Sequence, residues 1–403
     1  MTGEGAEPTE FIVSFLLNEW DDSMHSLPCI FSFFSGSGFL DLGFELSGFN
    51  VVYVNEIFPP FMQAYRYSRQ CLNLALPEYG YCEGEEADVT RLVGGEPAFR
   101  LRELMQDARK HHDIVGFIAG PPCPDFSIGG KNRGQEGDKG QLSASYIELI
   151  CQQQPDFFLF ENVKGLWRTK KHKAFYDELK LKLAESGYVF VERLINAIEY
   201  GVPQDRDRII LIGMRKNLVK NLGISLEAKS PMLAESLFPW QSQVLYPKSE
   251  IFSHPWPDRT AFANDGFVPC PDGIPQDLTV EFWFQKNDVL NHPNAKHYFQ
   301  PKAGLKRFAS VDEGDDSKKS FKRLHRWRYS PTACYGNNEV HLHPYKLRRL
   351  SVAETLAIQS LPKDFALPAK MTLTNMFKTV GNGVPYLAAQ GIAKTILQFL
   401  QTK

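Results

Sequence analysis

At 403 residues, with 43% hydrophobic and 23% charged residues and a net charge of -2, the chain has an ordinary globular composition and enough length for two domains. Seven scattered cysteines with no CxxC pair argue against a disulfide framework or a zinc site, so a reducing cytosol is the expected setting and no metal is expected. No apolar stretch reaches membrane-spanning length, and Glu4, Glu7 and Glu10 ahead of the apolar run at 11–17 do not suit a signal peptide.

After an N-terminal extension, Cys29–Phe34 reads as a buried strand that opens into Ser35-Gly36-Ser37-Gly38-Phe39 and a helical pattern over 40–46. Strand, glycine turn and helix suit a nucleotide-type ligand, because glycines let backbone N–H groups approach it; a tight connection would look the same. A second strand over 51–55 ends at Glu56, where a carboxylate either accepts ribose hydroxyls or faces the next helix N-terminus. Residues 58–70 read as a helix and Ala87-Asp88-Val89-Thr90 as the tip of a third strand. Asp88 there either holds an adenine amino group or caps the Thr90 turn.

A fourth strand over 114–119 breaks into Gly120-Pro121-Pro122-Cys123, which stiffens the approach to the thiol and places it at the ligand edge of the sheet. Residues 128–140, with Lys131, Arg133 and Lys139, have the composition of a mobile loop that could close over a substrate. Then follow a helix over 142–153, a fifth strand over 157–160 and the tip Glu161-Asn162-Val163. Glu161 lies 38 residues after Cys123, one β-α-β step, so both side chains could share one pocket. A helix over 173–186, a strand over 188–195 and a strand over 209–213 complete the alternation. Gln204, Arg206 and Arg208 enter the last of these and would point one way. Residues 215–325 lose the alternation and read as an irregular second domain. Between Lys286 and Arg349 there are 14 Lys or Arg against 6 Asp or Glu, interleaved with aromatics, which suits a polyanion. Helices return over 352–359 and 383–400.

Phe34-Ser35-Gly36-Ser37-Gly38, Pro121-Pro122-Cys123, Glu161-Asn162-Val163, Gln204-x-Arg206-x-Arg208 and Gly381-Asn382-Gly383-Val384-Pro385 occur in the order and spacing of the DNA (cytosine-5) methyltransferase family, of the bacterial restriction-modification type. Arg348-Arg349-Leu350-Ser351, with Glu354 and Gln359, also resembles a block of that family. The resemblance covers roughly 28–214 and 328–400. It implies a doubly wound, mostly parallel α/β sheet that binds S-adenosylmethionine, with product S-adenosylhomocysteine, and a smaller target-recognition domain. The expected division is an extension at 1–27, a catalytic and cofactor domain at 28–214, target recognition at 215–327, and a return at 328–403 that completes the cofactor site.

By position, the resemblance implies Cys123 as nucleophile at cytosine C6 and Glu161 at N3. It puts Arg206 at the base carbonyl, with Arg208 structural or near phosphate. Cofactor contacts are implied at Phe34, Gly36, Ser37, Gly38, Phe39, Glu56, Ile57, Asp88, Val89, Pro122, Asn382 and Val384. DNA contacts are expected at Ser127, Lys131, Arg133 and Gln204, and the uncovered second domain offers Lys306, Arg307, Arg323, Arg326 and Asn337, with His292 and His297, as unranked candidates for reading bases or meeting phosphate. The target would be a cytosine flipped from duplex DNA. A monomer in the bacterial cytoplasm, held to the nucleoid through DNA, is expected, with a restriction endonuclease acting on the same site but not bound to the chain. Ser35 and Phe39 stand where family members usually carry Ala and Gly, and Pro124-Asp125 replaces the usual Gln-Gly. A tRNA-methylating branch and a catalytically silent relative are the alternatives. The first usually carries a Cys-Phe-Thr tripeptide, absent here, and the second tends to lose the Cys or the Glu, both present.

Overall fold

The computed structural model describes residues 26–81, 84–122, 138–226, 230–301, 305–318, 320–332, 335 and 340–402. Cys123, Ser127, Lys131, Arg133, Asn337, the Pro124-Asp125 departure and most of the N-terminal extension lie outside these residues.

The sheet comprises β1 (Cys29–Phe33), β2 (Asn50–Asn55), β3 (Tyr79–Tyr81), β4 (Val115–Ala119), β5 (Phe157–Val163), β6 (Tyr188–Asn196) and β7 (Asp207–Arg215). Their order is β3-β2-β1-β4-β5-β7-β6, parallel except for β7, which runs against both neighbours. The strand order reverses between β1 and β4, and ligands of open α/β sheets bind at such a switch point.

Period-two alternation divides the core between the two faces. Cys29, Phe31, Phe33, Phe117 and Phe158 pack under α3 (Gly95–Ala108), α4 (Asp138–Gln153) and α5 (Lys170–Glu185). Ile30, Val51, Ile118, Phe157 and Ile210 pack under α1 (Phe39–Glu45) and the C-terminal helix, Tyr386–Leu400. Two strand glycines make room for this aromatic core: a Cβ at Gly116 would lie 2.1 Å from the Phe157 ring, and one at Gly213 would lie 2.0 Å from that of Phe158.

Beyond α2 (Pro59–Cys71) the third strand is not at 87–90 as the sequence suggested. It is Tyr79–Tyr81, and two short 3-10 turns, Gly84–Ala87 and Val89–Arg91, carry the chain past Asp88. The Asp88 carboxylate accepts from Thr90 N at 2.9 Å and Thr90 Oγ1 at 2.8 Å, the capping alternative. The fifth strand runs three residues further than expected, because β7 continues to pair with it: Glu161 stands opposite Ile210 and Val163 opposite Arg208.

After α6 (Lys216–Asn221) regular structure is sparse: α7 (Lys248–Ser253), α8 (Val280–Lys286), α9 (Leu305–Ala309) and the paired β8 (Lys322–Arg323) and β9 (His341–Leu342). Then come α10 (Val352–Ile358), α11 (Leu373–Asn382) and α12 (Tyr386–Leu400). Val280, Trp283 and Phe284 of α8 share a core with α10, α11 and Phe39. A Cβ at Gly43 of α1 would lie 2.5 Å from that of Ala389, so α12 lies directly on α1 and brings residues 379–384 to the turn after β1. Among the described residues no helix is long and apolar enough to cross a membrane.

Candidate active site

The turn after β1 is built for close approach to a ligand. Phe34 has φ 53°, a conformation a bulky residue adopts only when its surroundings impose it, and Gly36 and Gly38 follow at φ 58° and 84°. Ser35 N donates to the Asn55 carbonyl at 3.0 Å, which ties the turn to the end of β2. From there Glu56 reaches back. Its Oε2 accepts from Gly36 N at 3.0 Å and its Oε1 from Phe58 N at 2.8 Å. Burial raises the Glu56 carboxyl above its ordinary value, against the pull of those two N–H groups and of Lys378. Open space lies over Gly36, where a Cβ would meet nothing within 4 Å, and the adjacent Ile57 is 58% exposed although apolar. A carboxylate, an exposed aliphatic face and an open glycine turn in one place fit an adenosine.

Beneath the turn lies a buried carboxylate that sequence reasoning missed. Asp41 accepts from Ser32 Oγ at 2.6 Å and from Tyr65 OH at 3.0 Å, and the Tyr65 ring packs against Gly38, where a Cβ would be 2.7 Å away. Burial pushes the Asp41 carboxyl up to about 6, opposed by those two hydrogen bonds and by Arg69. Asp41 therefore props up the whole turn.

Across the switch point, β4 delivers Gly120 and the Pro-Pro step beside Glu161 of β5. Arg208 Nε lies 2.7 Å from Glu161 Oε1, and a Cβ at Gly120 would lie 2.9 Å from Glu161 Oε2. Gly120 thus keeps the carboxylate's space open, and its position just before two prolines was the available sequence signal. The guanidinium beside Glu161 belongs to Arg208, for which a structural or phosphate role was expected, with Arg206 at the base carbonyl. Arg206 is 1% exposed, and its Nη2 donates to the carbonyls of Gly381 and Gly383 at 3.0 Å each. That pair of bonds clamps the two sides of Asn382, which is exposed at the end of α11. The two arginines do not point one way as expected, because only Arg208 lies in β7, opposite Val163 of β5, while Arg206 precedes the strand.

Two other residues expected at the cofactor have side chains engaged within the protein. The Phe39 ring is 2% exposed and lies edge-on to Phe365 and against Gly383, so only its backbone faces the turn. The Ser37 hydroxyl is committed to Thr379 Oγ1 at 2.6 Å. Val89 and Val384 are buried, and Pro122 is half-buried.

The sequence profile of the C-5 cytosine-specific DNA methylases matches residues 29–398. The chain belongs to that family. It is 54% identical over 372 residues to the Type II methyltransferase M.NmeDI of Neisseria meningitidis serogroup C, covering 92% of this chain and 84% of the relative. It is 27% identical over 383 residues to M.MthTI of Methanothermobacter thermautotrophicus, covering 92% and 98%. A prophage protein of Escherichia coli described as a DNA modification methyltransferase shares the fold at TM-score 0.60 and 22% identity, over 93% of this chain and 99% of its own. The Dnmt2 methyltransferase of Schizosaccharomyces pombe shares it at TM-score 0.55 and 13% identity, over 93% and 98%. The chain is accordingly a DNA (cytosine-5-)-methyltransferase.

In this methyltransferase several residues expected to touch DNA are instead internal. Gln204 is fully buried and its backbone bridges to Ser330. Arg323 is also fully buried: its Nε donates to the Val311 carbonyl at 2.8 Å, its Nη2 to that of Phe308 at 2.6 Å and its Nη1 to those of His343 and Lys346, with Phe262 under the guanidinium. Arg326 grips Glu313 with two bonds of 2.8 and 2.9 Å and donates to the Gly266 carbonyl at 2.7 Å. His292 lies against the Phe365 carbonyl, and burial lowers its pKa. The His297 carbonyl accepts from Val352 N at the start of α10. Lys306 and Arg307, on α9, are exposed.

Proposed function

We propose that the chain transfers a methyl group from S-adenosylmethionine to C5 of a cytosine flipped out of duplex DNA, with Cys123 as the covalent nucleophile. The observation that carries this reading is the Glu161 carboxylate at the switch-point edge, fixed by Arg208 at 2.7 Å and given space by Gly120. Cytosine C5 is a poor nucleophile until something adds at C6. The Cys123 thiolate forms the C6–S bond while N3 takes a proton from the Glu161 carboxyl, which leaves an enamine whose C5 can attack. S-Adenosylmethionine, when bound, supplies the methyl group as an electrophilic sulfonium. Phe34 and Ile57 would flank its adenine, with Glu56 at the ribose and Asn382 at the methionine end. Asp88 would complete the adenine contacts with the hydrogen-bonding capacity left beyond its Thr90 cap. Transfer of the C5 proton to a base then expels the thiolate, and return of the N3 proton to Glu161 restores the aromatic base and the acid.

Arg208, not Arg206, would meet the base carbonyl, since it shares the pocket with Glu161. Arg206 would act through Asn382, as a positioning residue. The region between 230 and 349 would read the target sequence, with Lys306 and Arg307 among its exposed cations. The names of the relatives support a partner relationship with a restriction endonuclease that cuts the same sequence.

Bisulfite sequencing of plasmid DNA from cells expressing the chain tests the reading. Protected cytosines in one sequence context are expected, and their loss in Cys123→Ser. Plasmid free of modified cytosine with the wild-type chain would overturn the activity, and modification that survives Cys123→Ser would overturn the nucleophile.

A further inference from the structure

Directly beyond Glu161 the chain enters a surface stretch with five cations and no acid in ten residues: Lys164, Arg168, Lys170, Lys171 and Lys173. All five are exposed, yet the backbone under them is firmly seated. Leu166 is 1% exposed, the buried His172 meets the Gly165 carbonyl through Nδ1 at 3.2 Å, and Thr169 Oγ1 caps α5 by accepting from His172 N at 3.1 Å. The stretch is therefore a fixed face, continuous with the site. Lys164 lies 2.7 Å from Asp207, the neighbour of Arg208, and that carboxylate is already shared with Lys248 at 2.6 Å. Arg168, Lys170 and Lys173 form no ion pair among the described residues. The first turn of α5 also holds no acidic residue, although carboxylates are the stabilising choice there and cations are not. A dense positive face kept in that position suits a polyanion supplied from outside.

We propose that this face, residues 164–173, holds the phosphate backbone of the duplex that flanks the flipped cytosine. The proposal rests on the methylation reading above. Cations on phosphates position a duplex without reading it, so the face adds affinity for any sequence and leaves the choice of target to the region between 230 and 349.

The test is the triple variant Arg168→Gln, Lys170→Gln, Lys173→Gln, titrated with a random-sequence duplex over a range of salt concentrations. Each lost phosphate contact removes about 0.9 from the slope of log K against log salt, so a slope shallower by about 2 to 3 is expected. The KM for substrate DNA should rise, with kcat at saturating DNA unchanged. Lys216→Gln with Lys220→Gln, exposed on α6 at the end of the sheet away from the site, serves as the control for net charge and should leave the slope alone. A triple variant with the slope of the control overturns the proposal while leaving the methylation reading intact. A wild-type chain that neither binds nor methylates duplex DNA overturns both.

Discussion

Arginine is used differently at the sheet edge and in the irregular region between 230 and 349. At the edge, Arg208 has one charged partner in a pocket that still opens outward, with 15% of its side chain exposed. In the irregular region, Arg323 spends its donors on four main-chain carbonyls and Arg326 on a buried carboxylate and a fifth carbonyl. The difference follows from what each region must satisfy. A sheet pairs its own backbone groups, so Arg208 inside β7 gives one bond to a main-chain carbonyl, that of Asp207 at 2.8 Å, and still faces Glu161, whereas Arg206, just ahead of the strand, is drawn to two carbonyls. A region with two-residue strands and short helices leaves many carbonyls without partners, and the planar five-donor fork of arginine is well suited to collect them. A high count of basic residues in such a region thus overstates the charge available to DNA.

The comparison breaks most visibly at Glu161. Glu161→Gln keeps the shape of the pocket and removes its proton donor. Methyl transfer should fall by about 10²- to 10⁴-fold, with the denaturation midpoint near that of the wild type. Activity within a factor of about three of wild type would mean that Glu161 is only a partner for Arg208. In the irregular region the expected loss is one of stability. Arg323→Met fills much the same volume but abandons four buried carbonyls, and leaving such groups unsatisfied should cost roughly 3 kcal/mol or more. Urea unfolding should show this as a lower midpoint, with S-adenosylmethionine binding retained in the absence of denaturant. A variant that is as stable as the wild type but binds DNA poorly would return Arg323 to the role of reader.

The same division explains what could be read from the sequence. The glycine turn, the Pro-Pro step and Glu161 could be placed because strand and helix periods carry each residue to a known edge of the sheet. The third strand was misplaced because Tyr79–Tyr81 is three half-buried residues at the sheet margin, too short to show a period, whereas Ala87 and Val89 are buried without being in a strand. Arg206 and Arg208 were expected to point one way and do not, because alternation decides direction only inside a strand, and β7 begins at Asp207. Asp41 was overlooked because a charged residue on a short helix ordinarily reads as solvent-facing, and its partners Ser32 and Tyr65 lie 9 and 24 residues away. The destinations of Arg323 were beyond reach altogether: its carbonyls come from residues 308, 311, 343 and 346, joined by no repeating pattern.

The smallest expected effect sharpens the comparison through pH. In the irregular region burial holds His325 down to about 4 and His341 down to about 3, from an ordinary 6.5. Both rings are thus neutral in the folded chain well below the pH at which they would protonate when unfolded. Their stabilising contribution is complete above 6.5 and is lost as pH falls from there, at up to about 1.4 kcal/mol per pH unit for each ring. Asp41 beneath the glycine turn has the opposite sign. Burial raises its carboxyl to about 6, so its contribution is complete below the ordinary value of 3.8 and is lost as pH rises through 6. Between 6.5 and 4, acidification should therefore loosen the irregular region while favouring the turn. Amide exchange, corrected for intrinsic rates, should show protection at 322–325 and 340–343 falling over this window while protection at 39–65 holds or rises. Equal loss in both segments would indicate that the two regions unfold as one unit, and no loss around the two histidines would indicate that they titrate no differently from exposed ones.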